Sequence, residues 1–133
     1  MPPLLLQIKN LSVDFETEYS STSAVKNVSL EINKGEIVAV VGESGSGKTV
    51  TSLSILQLLQ SPPAKYSSGE ILFSKNDKQI NLLKLSEQEM RDIRGNEIAM
   101  IFQEPMTSLN PVQTCGSQVM EAIQLHEKKK KIL

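Results

Sequence analysis

The sequence contains little cysteine, few aromatic side chains and almost no net charge. Its single cysteine, Cys115, cannot form an internal disulfide, and the 133 residues include no tryptophan, three phenylalanines and two tyrosines. Fourteen lysine and arginine residues against fifteen aspartate and glutamate residues leave a net charge of -1. The chain as a whole therefore has no field that would collect nucleic acid, and any polyanion must be held by a local site.

Long hydrophobic runs are also missing. The compact apolar run at residues 37–41 is five residues long, far short of the roughly 20 that span a bilayer. The first residues lack the basic region of a signal peptide. We therefore expect a cytoplasmic polypeptide with a modest aliphatic core.

The spacing of apolar residues predicts an α/β protein. Near alternation at residues 4–15 and 24–32 indicates two strands joined by a loop, and the runs at 37–41 and 98–102 are typical of strands buried on both faces of a parallel sheet. The other predicted elements are helices at 49–60 and 86–94, a short strand at 69–73 and a final helix from about residue 114.

The strongest chemical signal is the segment GESGSGKT at residues 42–49. It matches the P-loop, or Walker A, pattern of glycine, four residues, glycine, lysine and serine or threonine. Its glycines let backbone amides converge on one concavity that fits phosphate oxygens, and the following helix adds its positive end. The predicted phosphate-binding residues are Gly42, Ser44, Gly45, Ser46, Gly47, Lys48 and Thr49.

Two of these side chains have specific predicted tasks. Lys48 supplies a positive charge for the β and γ phosphates, and the Thr49 hydroxyl can coordinate Mg²⁺. The alternative is a glycine-rich turn that matches the pattern by chance. A predicted buried strand before the loop and an amphipathic helix after it favour the phosphate site.

Three stretches carry a resemblance to a known family. They read VGESGSGKTVTSLSILQLL at 41–59, SEQEMRDIRG at 86–95 and IAMIFQEPMTSLNPV at 98–112. They resemble the ATP-binding subunits of ABC transporters, in particular those of oligopeptide and dipeptide importers, and nickel importers are similar. The resemblance implies a partial ABC-type P-loop NTPase fold with an N-terminal antiparallel β subdomain. Residues 1–133 would then be the N-terminal part of a single nucleotide-binding domain.

The resemblance also implies ligands and partners. It gives Gln103 the role of the Q-loop glutamine, a catalytic and Mg²⁺-binding residue, and it places Phe15 where the family has an adenine-stacking aromatic. The alternative for Gln103 is a glutamine that simply leaves a strand, and the alternative for Phe15 is a hydrophobic strand residue. The implied cofactors are ATP and Mg²⁺. The implied partners are transmembrane permease subunits and a second ATP-binding subunit, at the inner face of the cell membrane and without nucleic acid.

The sequence lacks other motifs of that family. It contains no LSGGQ-like signature, no apolar strand ending in the Walker B aspartate and its adjacent glutamate, and no identifiable switch histidine. Phosphoryl transfer depends on such positioned charges, so hydrolysis by this chain alone is not expected. The lysine run at 128–131 is expected to be solvated.

The function expected is that of a truncated ATP-binding subunit of an importer that couples ATP binding and hydrolysis to peptide uptake. A non-catalytic nucleotide-binding or assembly module remains an alternative, as does nickel import.

Overall fold

A computed structural model describes residues 2–103 and 108–127 of the chain. The chain divides into two compact units, Met1–Ser86 and Glu87–Leu133. The lysine run at 128–131 lies outside the described residues.

The first unit is built on a four-stranded antiparallel sheet. Its strands are β1 (Leu4–Glu16), β2 (Ser21–Asn33), β3 (Ala64–Lys75) and β4 (Lys78–Asn81). The spatial order is β2-β1-β3-β4, and each neighbouring pair is antiparallel. The predicted N-terminal antiparallel subdomain is confirmed.

Local sequence explains the two hairpins of this sheet. Between β1 and β2, the Thr17 amide donates to the Ser20 carbonyl at 2.8 Å and closes a tight turn. Between β3 and β4, Asn76 and Asp77 have φ angles of 50° and 60°. Two successive left-handed residues match the twist of a two-residue hairpin, and asparagine and aspartate tolerate that conformation.

Strand β1 lies at the centre of the sheet and supplies much of the core. Leu6 and Ile8 are buried, the next two residues are exposed, and Leu11 and Val13 are buried again. A register shift between Ile8 and Leu11 accounts for this break in the alternation, because a β-bulge returns the following side chains to the same face. The buried apolar residues of this unit are Leu6, Ile8, Leu11, Val13, Val25, Leu56, Ala64, Ile71, Phe73 and Leu82.

Helix α1 (Lys48–Ile55) connects the loop at 42–47 to this core. It is shorter than the helix predicted at 49–60. Gln57, two residues beyond its end, has a left-handed φ of 50°, and its side-chain amide donates to the Leu82 carbonyl at the start of a short 3₁₀ helix (Leu82–Lys84). The left-handed conformation of Gln57 ends the helix before the prolines at residues 62 and 63, which marked the end of the predicted helix.

In the described part of the second unit, residues 87–103 and 108–127, the helices are α2 (Glu87–Ile93) and α3 (Cys115–Glu127). Helix α2 ends just before Gly95, whose φ of 77° allows the left-handed turn that follows many helices, so this predicted stop is confirmed. Helix α3 begins one residue after Thr114, whose hydroxyl accepts a hydrogen bond from the Ser117 amide at 3.3 Å.

The two buried strands predicted at 37–41 and 98–102 are wrong for this structure. Neither segment is a strand, and Ile37 and Ile101 are 98% and 97% exposed. A strand exists only when a neighbour completes its hydrogen-bond ladder, and no strand of the described residues pairs with either segment. The β-type pairing of Ile98 is an isolated bridge with Arg94, which belongs to no sheet.

Candidate functional site

The predicted phosphate loop leads directly into helix α1. Gly47 is the N-cap residue, with a left-handed φ of 91°, and the Thr51 amide donates to its carbonyl at 2.9 Å. The Thr51 hydroxyl donates to the same carbonyl at 2.9 Å. Since helical hydrogen bonding starts at Thr51, the three preceding amides, of residues 48–50, have no acceptor within the helix and can serve an anion.

The Lys48 side chain folds back across the loop. Its ammonium group donates to the carbonyls of Gly42 and Glu43, each at 2.6 Å, and to the Ser46 hydroxyl at 3.1 Å. The positive charge of Lys48 is therefore held among loop oxygens, in the loop that leads into the N-terminus of α1. Both features favour negative charge at this position.

Two glycines of the loop lie where a side chain would collide with the protein. A Cβ atom on Gly47 would approach the Ala24 carbonyl oxygen to 2.7 Å and Val25 Cγ2 to 3.2 Å. A Cβ atom on Gly42 would approach the Ser46 hydroxyl to 2.8 Å. Gly47 thus joins the loop closely to β2, and Gly42 lets the loop close on itself.

Ser54 of helix α1 lies near Tyr66 of β3. Ser54 is fully buried, and its hydroxyl donates to the Val50 carbonyl at 2.7 Å. The buried Tyr66 hydroxyl forms no regular hydrogen bond within the described residues. Burial raises the pKa of Tyr66, and interaction with the nearby Ser54 hydroxyl lowers it by a smaller amount.

Phe15 lies near the end of β1, in the same unit as the loop. It pairs with Thr22 on β2 and with Ala64 on β3, and its side chain is half-buried. Asp14 precedes Phe15 on β1. Hydrogen bonding from Ser67, and to a smaller extent from Ser23, lowers the pKa of the Asp14 carboxyl group.

Gln103 belongs to the second unit and is exposed. The structure thus brings residues 42–49 together in the loop and the first turn of α1, and it places Phe15 on the sheet. Gln103 lies in the second unit. Glutamine and threonine supply the oxygen donors that Mg²⁺ prefers, so Gln103 and Thr49 are chemically suited to it. Within residues 2–103 and 108–127 no cluster of three or more His, Cys, Asp or Glu could hold a metal by itself.

Sequence reasoning missed two residues that shape this site. Thr51 braces the Gly47 carbonyl through both its amide and its hydroxyl, and Gln57 attaches the end of α1 to Leu82. A threonine four residues after an N-cap is a usable signal, because its hydroxyl can reach back one helical turn. The Gln57 contact is distant in sequence, and no local pattern reveals it.

A family model described as ABC transporter matches residues 25–132. Among curated relatives, a probable peptide ABC transporter ATP-binding protein of Sinorhizobium fredii is 52% identical over 123 residues, 92% of this chain and 36% of the relative. An oligopeptide transport ATP-binding protein of Bacillus subtilis is 48% identical over 124 residues, 93% of this chain and 34% of the relative. The chain thus spans about a third of the length of these two relatives.

The chain is also similar in fold to solved structures. The dimeric structure of a bacterial ABC transporter cassette matches with a TM-score of 0.75 at 27% identity, covering 97% of this chain and 50% of that one. The same cassette in a post-hydrolysis state, bound to ADP and Pi, matches with a TM-score of 0.73. No helix of the described residues is long and apolar enough to cross a membrane.

Proposed function

The chain belongs to the ABC transporter family, and on that premise we propose that it is the N-terminal part of the ATP-binding subunit of a peptide importer. The Sinorhizobium fredii and Bacillus subtilis relatives are named as ATP-binding proteins of peptide and oligopeptide transport. In this proposal ATP binding and hydrolysis by the complete subunit drive uptake. Its partners are transmembrane permease subunits and a second ATP-binding subunit, at the cytoplasmic face of the cell membrane.

The observation that carries the proposal is the position of the Lys48 ammonium within the loop. It lies 2.6 Å from two loop carbonyls, and the same loop leads into the N-terminus of α1. Phosphate oxygens are better partners for an ammonium than neutral carbonyls, because the hydrogen bond is then charge-assisted on both sides. We therefore assign Lys48 to the β and γ phosphates, with the amides of the loop on the same groups.

The other proposed contacts distribute the nucleotide over several elements. Thr49 and Gln103 would hold Mg²⁺, and the ring of Phe15 would stack on adenine. When bound, Mg²⁺ would neutralise charge that develops on the phosphate oxygens. Gln103 would orient the attacking water. Residues 1–133 would form the N-terminal part of one nucleotide-binding domain, with the P-loop at 42–49 and the Q-loop near residue 103.

Single-turnover ATP hydrolysis tests this function against a non-catalytic nucleotide-binding module. The full chain is mixed in excess with labelled ATP and magnesium, and Lys48→Ala is the control. Hydrolysis that disappears in the variant supports ATPase chemistry and excludes the non-catalytic module. Magnesium-dependent binding without turnover that is lost in Lys48→Ala supports the nucleotide site, which both candidate functions require. Absence of binding contradicts both.

A further inference from the structure

Residues 37–41 form a segment of the first unit whose backbone is unpaired. In the part of the chain that the structure describes, none of their amides or carbonyls has a hydrogen-bond partner. Before the segment, the Glu36 amide donates to the Asn33 carbonyl at 3.2 Å. After it, the Gly42 carbonyl accepts from the Lys48 ammonium at 2.6 Å. Five successive residues between these contacts therefore present free donors and acceptors.

The side chains of this segment are suited to a strand. Four of the five are β-branched, and such side chains favour a pleated sheet. Ile37 is 98% exposed, Val40 58% and Val41 92%. The segment contains neither charge nor proline, two of the features by which proteins keep an exposed strand from associating. Free backbone groups and exposed apolar side chains at one place favour the addition of another strand.

A second copy of the same segment is the partner that fits it best. The run at 98–102 has a similar composition, but part of its backbone is already engaged. The Ile98 amide donates to the Ile93 carbonyl at 3.1 Å, and the Ile98 carbonyl accepts from the Gly95 amide at 2.9 Å. Two copies of residues 37–41 keep every donor and acceptor available, and a segment that pairs with itself forms a closed two-fold interface.

The charges that flank the segment favour an antiparallel arrangement. Glu36 and Glu43 lie on either side of it, and in a parallel pair in register each would face its own copy. Like charges directly opposite each other destabilise a sheet. In an antiparallel pair centred on Ala39, Ile37 faces Val41 of the second copy, and each glutamate faces a glycine.

We propose that residues 37–41 are an interaction surface for a second copy of this chain, which they bind as an antiparallel pair of strands. Each strand completes the hydrogen-bond ladder of the other, so a segment with the composition of a strand becomes one without a neighbour in its own chain. Two strands of five residues bury less than the roughly 1,200 Å² of a stable interface, so the association is weak and depends on concentration. It requires no nucleotide, and the inference is therefore independent of the proposed function.

Sedimentation velocity of the full chain without nucleotide, over a range of concentrations, measures this association. The weight-average mass should rise above that of one chain as the concentration increases. Val40→Lys places a charge within the segment and should weaken association at least about tenfold. Val119→Lys is the matched control, because Val119 is also 58% exposed but lies on α3, and it should associate as the wild-type protein does.

Three results of the sedimentation experiment would overturn the inference. The first is a mass that stays at that of one chain at every concentration. The second is equal association of the wild-type protein and Val40→Lys. The third is equal weakening in Val40→Lys and Val119→Lys, which would show a general effect of added charge.

Mixtures of charged variants test the register and do not depend on the stability of a single variant. Ile37→Lys mixed with Val41→Glu brings opposite charges face to face in the antiparallel pair, so the mixture should associate more tightly than either variant alone. Ile37→Lys mixed with Ile37→Glu is the matched control, since these positions face each other only in a parallel pair. Tighter association of the control mixture would overturn the antiparallel arrangement.

Hydrogen exchange identifies the residues that pair. Alternate amides of residues 37–41 should exchange at least about fivefold more slowly at high than at low protein concentration, because an antiparallel pair engages every second amide of each strand. Exchange that does not change with concentration at 37–41 would overturn the inference. Protection that develops at 98–102 in its place would also overturn it, since the other apolar run would then be the surface.

Discussion

At the residue scale, the phosphate loop depends on glycines and on one lysine. Sequence reasoning identified both from spacing alone, because a loop that wraps a phosphate needs backbone freedom and a positive charge at fixed positions. It could not identify the contacts that make Gly47 necessary here. Those contacts come from the carbonyl of Ala24 and a methyl group of Val25, which lie more than twenty positions earlier on β2.

Replacing Gly47 with alanine should be more damaging than the same change at Gly45. Both residues have left-handed φ angles, of 91° and 80°, but only the Gly47 Cβ would collide with backbone, since Gly45 has nothing within 4 Å. We expect Gly45→Ala to lower the free energy of unfolding by about 1 kcal/mol and Gly47→Ala by about 3 kcal/mol. Urea denaturation measures both, and equal losses would contradict the close approach of the loop to β2.

The two tyrosines of the chain should respond differently to high pH. Because burial raises the folded-state pKa of Tyr66, its stabilising contribution is intact below the unfolded value of about 10 and is lost as the pH rises through the folded value. Tyr66→Phe should therefore reduce the loss of stability above about pH 10 and change stability at neutral pH by no more than about 1 kcal/mol.

Tyr19→Phe is the control, since Tyr19 is exposed. Its urea denaturation should follow that of the wild-type protein between neutral and alkaline pH. If Tyr66→Phe and the wild-type protein lose the same free energy of unfolding at alkaline pH, the Tyr66 hydroxyl is not desolvated.

At the element scale, the two alternating strands β1 and β2 were predictable, whereas β4 was missed and the strands predicted at 37–41 and 98–102 are absent from the described residues. The alternation of β1 and β2 requires only that one face be buried, and the two strands pair with each other across a short turn. The runs at 37–41 and 98–102 have the composition of strands buried on both faces. No strand within residues 2–103 and 108–127 completes their ladders, so composition alone predicted them incorrectly.

Strand β1 should be a sensitive element of the first unit, because it pairs with β2 on one side and with β3 on the other. Leu11 is fully buried at its centre, and we expect Leu11→Ala to lower the free energy of unfolding by about 2 to 5 kcal/mol. Leu125→Ala is the control for the same chemical change at an exposed site, with an expected effect within about 0.5 kcal/mol. Similar losses in urea denaturation would contradict the placement of Leu11 in the core.

At the scale of the whole molecule, the predicted site residues belong to different compact units, each of which is described by itself. The loop at 42–49 and Phe15 lie in Met1–Ser86, and Gln103 lies in Glu87–Leu133. Sequence resemblance could assign all of them to one nucleotide because it compares motifs rather than contacts. The geometry of the first unit supports the phosphate loop directly, whereas the role of Gln103 rests on the sequence resemblance alone.

Calorimetric titration of the full chain with ATP, with and without magnesium, tests the central claim most directly. We predict saturable, magnesium-dependent binding that weakens at least about tenfold, or about 1.4 kcal/mol, in Lys48→Ala. Lys34→Ala removes the same charge from an exposed position outside the loop and should bind as the wild-type protein does. Absence of binding, or equal affinities in the wild-type protein and Lys48→Ala, would contradict a phosphate site at residues 42–49.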